Sequence, residues 1–383
     1  MESGQLFVTE WRGHMIVLPL SKNGTYDFVV DWGDGTTISI TEYNQSEITH
    51  AYKDSKLFHI VTISGIIEGF GFGFNGGIGP QECELVDVIQ WGNVKLNNDG
   101  YQFNNCIGLK GFSAKDSLDL SNITNMSYMF YGSISFNQDI SNWDVSMVTR
   151  MDSMFHYAVS FNQDISKWEV DNVTDMRCMF YEAIAFNQDT SMWNVSSVTD
   201  MQYMFCEAAA FNQDISKWDV SKVIDMNHML NGILSFDQDI SDWDVSSVTN
   251  MSYMFSDTLR FNQDISNWDV SNVTNMMGMF AGASSYNQDI SNWNVSNVAN
   301  MGFMFYGASS FNQDISKWNV SNVTDMRHMF NNATSFDQDI STWDVSKVAE
   351  MEHMFYGIES HNIPTLKWSI IKADANTRQS ERT

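Results

Sequence analysis

Residues 136–160 read FNQDISNWDVSMVTRMDSMFHYAVS, and the chain repeats this pattern with a strict 25-residue period. The leading aromatic recurs at Phe161, Phe186, Phe211, Phe236, Phe261, Tyr286, Phe311 and Phe336, giving nine full copies (136–360) without insertion or deletion. Trp recurs in phase from Trp143 to Trp368. Two methionine columns, Met126 to Met351 and Met129 to Met354, hold 20 of the 25 methionines. A fixed period of roughly 20–50 residues signals stacked coils, because no single coil can bury its own apolar residues.

Within one copy, Ile140, Trp143 and Val145 form an I-x-x-W-x-V run. Trp143 and Val145 are two apart, which puts them on one face of a short strand. Met151, Met154, Phe155 and Ala158 carry the spacing of one helix face, and Thr149 stands at the N-cap position. The expected fold class is an α/β solenoid of leucine-rich-repeat type, with parallel short strands plus short helices in about 11 coils. It would span residues 85–370, with 85–110 as a divergent first coil and Leu118 in place of the Trp. The Met and aromatic columns are its core.

Residues 1–70 differ in texture. Alternating apolar runs (Phe28, Val30, Trp32; Val61, Ile63) and turn signals at Asn23-Gly24 and Asp34-Gly35 read as short antiparallel strands of a small immunoglobulin-like β-sandwich. Residues 71–84 are a Gly-rich connector without the context of a phosphate loop. Residues 371–383 are a polar tail.

Composition limits function. Acids outnumber bases 47 to 20, for a net charge of −27. Such a chain has no electrostatic footprint for nucleic acid or an anionic membrane. No stretch is long and apolar enough to span a membrane, and the first residues show no signal peptide. Four cysteines are too few for a disulfide scaffold.

The motif Trp32-Gly33-Asp34-Gly35-Thr36 with His50-Ala51-Tyr52 looks like a PKD-type domain. The repeat FNQDIS-x-W-x-VS-x-V-x-x-M-x-x-MF is similar to that of BspA-like leucine-rich repeat surface proteins. The resemblance implies a leucine-rich-repeat solenoid and a role in surface attachment or protein recognition without catalysis, at the cell surface or outside it. Such repeats also occur in large DNA viruses, which leaves a virion location as the alternative.

No catalytic constellation emerges. Carboxylates abound as repeats, whereas an active site is a singular feature. No cofactor is expected. The Asp column (Asp139, Asp164, Asp189 and equivalents) reads as turn caps, with Ca²⁺ between coils as the lesser alternative. His328 and His353 share a phase without a third ligand. The exposed face of the strand row supplies the candidate ligand-binding residues: Asn142, Asp144, Lys167, Glu169, Lys217, Asp219, Asp244, Asp269 and Lys317. Asn-x-Ser/Thr sites within the repeat read as structural asparagines. The expected function is a non-catalytic recognition or adhesion protein that binds a protein or glycan on another surface. The alternative is a structural component of a larger assembly, such as a virion or cell-envelope layer, whose partners are neighbouring subunits.

Overall fold

The structure, a computed structural model, describes residues 6–53, 56–73 and 83–358. Trp368, the polar tail and most of the Gly-rich connector lie outside them. The chain divides into two compact units, Met1–Asp189 and Thr190–Thr383, which are described separately.

The first unit begins with strands β1 (Phe7–Arg12), β2 (Met15–Val17), β3 (Leu20–Asp31), β4 (Thr37–Ile40), β5 (Thr49–Ala51), β6 (Phe58–Phe70), β7 (Leu85–Gln90) and β8 (Lys95–Leu96). Alternation works as expected here: Phe28, Val30, Val61 and Ile63 are buried, while Val29 and Ile60 face solvent. The turn between β3 and β4 is built by two carboxylates. Asp31 accepts the Gly33 N–H and Asp34 accepts the Thr36 N–H. Gly33 has φ +78°, and a Cβ there would stand 2.4 Å from the Ile60 carbonyl oxygen, so only glycine fits.

The expected immunoglobulin-like sandwich is corrected by the pairing. One sheet runs β4-β3-β6-β1-β7, with β8 added in parallel to β6, and β2 pairs only with β5. The sheet thus recruits residues 85–96, which the 25-residue phase had suggested as a first coil. Cys83 and Cys106 form a disulfide at the boundary between sheet and repeats.

The α/β leucine-rich-repeat expectation is also overturned. Among the described residues no α-helix occurs, and the only helical turn is a short 3-10 segment at Ser46–Ile48. The segment 151–158, spaced like a helix face, is a run of tight turns. Ser153 and Tyr157 take left-handed backbone angles, φ 56° and 60°, and two such residues four apart cannot sit in a right-handed helix. The hydrogen bonds alternate. The N–H groups of Met151, Ser153, Phe155 and Tyr157 donate to the carbonyls of Asp175, Arg177, Met179 and Tyr181 in the next copy, at 3.1, 2.7, 2.9 and 2.9 Å. Those of Met154, His156 and Ala158 close turns onto Met151, Ser153 and Phe155. The interlayer ladder therefore lies in the Met segment, where a helix was expected.

The Trp segment, expected as the strand, is also turns: Trp143 N–H donates to Ile140 and Val148 N–H to Val145. Parallel pairing is reduced to isolated bridges, Asn125 with Arg150 and Arg150 with Asp175. Side chains tie these turns to the preceding layer. The Trp168 indole N–H donates to the Ile140 carbonyl at 3.1 Å, and Asn172 Nδ2 donates to the Ser146 carbonyl at 2.8 Å.

The second unit repeats this scheme. Met251, Tyr253, Phe255 and Asp257 donate to Asn275, Met277, Met279 and Ala281, with Tyr253 and Asp257 left-handed. Trp243 and Trp268 rings stack 6.3 Å apart, and Phe255 lies 4.1 Å from Phe261. The Met, Phe, Val and Ile columns are buried in both units, except at the last described copy, where Val348, Met351 and Phe355 are partly exposed. Each layer buries its apolar side chains only against its neighbours.

Candidate functional site

The exposed row is set by two side-chain-capped turns in each layer. Asp139 Oδ1 accepts the Ser141 N–H at 2.9 Å, and Asp144 Oδ1 accepts the Ser146 N–H at 3.0 Å. Between them the chain passes Asn142 and Trp143. The indole turns inward in most copies, which leaves positions 142 and 144 facing water.

All the residues singled out in the sequence are exposed. In the first unit these are Asn142, Asp144, Lys167 and Glu169; in the second they are Lys217, Asp219, Asp244, Asp269 and Lys317. They owe this exposure to turns rather than to a strand pleat. Donation from the serine hydroxyl and then from the backbone N–H holds the carboxyls of Asp144, Asp219 and Asp269 below the usual range. These three carboxylates are therefore charged across the physiological range.

Position 142 and its equivalents differ in kind from their surroundings. The neighbouring Ser and Trp repeat in all nine copies, whereas this position reads Asn142, Lys167, Met192, Lys217, Asp242, Asn267, Asn292, Lys317 and Thr342. Met192 is 74% exposed, the most exposed large apolar side chain among the described residues.

The Asp column caps turns. Asp164, Asp214, Asp239 and Asp264 accept from Ser166, Ser216, Ser241 and Ser266 as Asp139 does from Ser141. Of the three residues in the calcium alternative, Asp139, Asp164 and Asp189, the first two each give Oδ1 to a serine N–H. Among the described residues no group of three or more His, Cys, Asp or Glu side chains is placed to hold a metal ion. His328 and His353 stack ring on ring, centroids 5.0 Å apart. The asparagines of the repeat serve structure: Asn272 and Asn322 donate to the Ser246 and Ser296 carbonyls of the preceding layer.

Sequence reasoning missed two features of the first unit. Where Leu118 replaces the Trp, a cleft of about 400 Å³ opens, lined by Trp91, Phe112, Leu118 and Trp143 with Asp116 and Asp119 beside them. Asn142 and Asp144 of the exposed row also line it. Trp143 is only half-buried, while Trp168, Trp218 and Trp243 are each 3% exposed. The signal was the substitution at 118, which puts a smaller side chain in the Trp column. The Cys83–Cys106 pair was also missed, because its 23-residue separation matches no repeat period.

A second cleft lies in the strand region beside Gly33 and Asp34. There His50 Nε2 lies 2.8 Å from Asp34 Oδ2 and its ring stacks on Trp32. The Asp34 carboxyl is pulled down to about 2, first by the His50 hydrogen bond and then by the Thr36 N–H.

Layers that bury identical columns and bond to the next copy by backbone and side chain define a repeat protein. Residues 100–218, 207–310 and 287–380 match the model of a family described as "Mycoplasma protein of unknown function, DUF285". The chain belongs to that family. No curated protein and no solved structure matches it. Among the described residues no helix is long and apolar enough to cross a membrane.

Proposed function

We propose that the chain is a non-catalytic recognition protein that uses the exposed turn row of its repeats to bind a protein or glycan on another surface. The observation that carries this reading is the variable position 142 and its eight equivalents. They are exposed in every copy, while the flanking Ser and Trp do not change. A position under structural constraint repeats; one that reads a partner differs from layer to layer. The similarity to BspA-like surface proteins supports the same role. The Cys83–Cys106 disulfide supports a location outside the reducing cytosol, at the cell surface or beyond it.

The acidic row favours a basic or polar partner, and association should weaken as the Debye length falls from about 10 Å at 0.1 M salt to about 3 Å at 1 M. The test is binding of the full chain to arrayed glycans and to immobilised cell-surface proteins at both salt concentrations. Asp219→Asn, Asp244→Asn and Asp269→Asn together remove charge but keep the turn acceptor. Asn already fills that place at Asn294 and Asn319, which accept from Ser296 and Ser321. Saturable binding that slows at least tenfold in this triple variant is the expected result. A partner bound with unchanged kinetics would refute the row as the site. A chain that binds nothing on the arrays but self-associates in sedimentation would make it an assembly component instead.

A further inference from the structure

We infer that the cleft between Leu118 and Trp143 is a binding site for an arginine side chain of a partner protein. The inference rests on the recognition reading and names the partner chemistry at one place in it. Three features of the first unit support it.

The first is a break in the Trp column. The indole N–H groups of Trp168, Trp218, Trp243, Trp268, Trp293, Trp318 and Trp343 each donate to a carbonyl 28 residues earlier, at 3.0–3.2 Å. The Trp143 indole makes no such bond among the described residues, and Leu118 occupies the place of the preceding Trp. The ring is thus partly uncovered and holds an unused donor.

The second is the aromatic wall. Phe112 lies nearly parallel to Trp143, with centroids 6.4 Å apart, and meets Trp91 edge-on at 4.8 Å. A planar cation can lie along such a surface by cation–π attraction.

The third is charge. Asp116, Asp119, Asp139 and Asp144 line the cleft against a single base, Lys115. Asp119 and Asp144 each commit one oxygen, Oδ1, to a serine N–H. Asp144 takes both the Ser146 N–H and its hydroxyl on Oδ1, which leaves Oδ2 to pair with a guanidinium. Asp119 adds negative charge beside it, shared with the Ser121 donors and with Lys95. The backbone carbonyl beside a docked arginine would supply an acceptor for the Trp143 N–H. A fork-shaped planar cation with a nearby carbonyl satisfies all three features, and a lysine point charge satisfies fewer.

The test uses the full chain labelled with ¹⁵N and the probe N-acetyl-arginine methylamide, followed at the Trp143 indole resonance, which Trp143→Phe assigns. N-acetyl-citrulline methylamide has the same shape without the charge. The expected result is a saturable shift with arginine, at least tenfold weaker binding with citrulline, and a similar loss in Asp119→Asn with Asp144→Asn, whose amides keep the turn acceptors. Leu118→Trp, which fills the gap, should abolish the shift. Equal binding of citrulline, no shift at all, or a methyl glycoside that binds with the double Asn variant unaffected would overturn the proposal, the last in favour of a neutral sugar. None of these outcomes touches Asp219, Asp244 or Asp269, so the row reading stands or falls on its own experiment.

Discussion

Position 157 and its equivalents show how single residues set the backbone. Its φ is positive in every described copy that carries it. Gly occupies it at Gly132, Gly232, Gly282, Gly307 and Gly357, and Asp or Asn at Asp257 and Asn332. The glycines are not interchangeable with their neighbours. A Cβ on Gly282 would meet Asp257 Oδ1 at 2.2 Å, and one on Gly357 would meet Asn332 Oδ1 at 2.2 Å. A polar side chain in one layer thus covers a glycine in the next. Gly282→Ala should cost roughly 1–2 kcal/mol from its left-handed angle alone, and more from contact with Asp257. In the Asp257→Gly background that excess should disappear, a coupling of about 0.5 kcal/mol or more. Urea melts of the four proteins measure it, and strict additivity would show that the carboxylate does not cover the glycine.

At the scale of elements, the Trp column separates core from site. Trp243 is buried and its indole N–H donates to the Ile215 carbonyl at 3.0 Å. Trp243→Ala should cost about 3–5 kcal/mol through the cavity it leaves. Trp143→Ala should cost clearly less, since that ring is half-buried and makes no indole hydrogen bond among the described residues. Equal losses in denaturant would mean that the cleft is closed in solution.

The same element shows what the sequence could and could not reveal. The period, the buried columns and the exposure of residues 142 and 144 follow from spacing alone, because burial repeats wherever geometry repeats. The backbone conformation did not follow. Met151, Met154, Phe155 and Ala158 face inward both in a helix and in a run of turns closed by i to i−3 bonds, so apolar spacing cannot separate them. The recurring glycines at Gly132, Gly232, Gly282 and Gly307 were the available sign, since an interior helical position does not favour glycine. The Trp run misled in the opposite direction: two residues apart on one face fits a strand, but here two Asp-capped turns produce the same alternation. In the strand region, tertiary pairing decided what local pattern could not, because β7 joins β1 across more than seventy residues.

At the scale of the whole molecule, acid should act through buried imidazoles before it acts through carboxylates. Burial pushes the His156 and His228 imidazoles down to about 4, from a usual value of 6.5. His156 Nε2 has no hydrogen-bond partner among the described residues, and the His228 ring is stacked between Tyr203 and Tyr253. The unfolded chain binds these protons more readily than the folded one. Their contribution is therefore complete above pH 6.5 and is lost as pH falls from 6.5 towards 4. The turn-capping aspartates, held low by serine donors, lose theirs only below the ordinary carboxylate value of 3.8. The melting temperature should fall between pH 6.5 and 4.5, and His156→Phe with His228→Phe should flatten that fall. An unchanged slope would place both rings in water.

The hydrogen bonds that leave Met251, Tyr253, Phe255 and Asp257 end on carbonyls 24 residues further along, as do those from Met151, Ser153, Phe155 and Tyr157. Within the second unit the junctions from Met226 to Met326 thus use the same bonds in the same register, so the gene can lengthen or shorten there by whole units without creating a new kind of joint. Excising residues 236–260 would bring Phe211 against Phe261 in place of Phe236, a ring for a ring at 6.5 Å. Such a shortened chain should express, fold and melt cooperatively. A chain lacking 24 residues from the same place should not, because its donors would face the wrong carbonyls and its tryptophans would turn outward. Copy number is therefore a quantity this architecture leaves free to drift by recombination, and the count of exposed reading positions drifts with it.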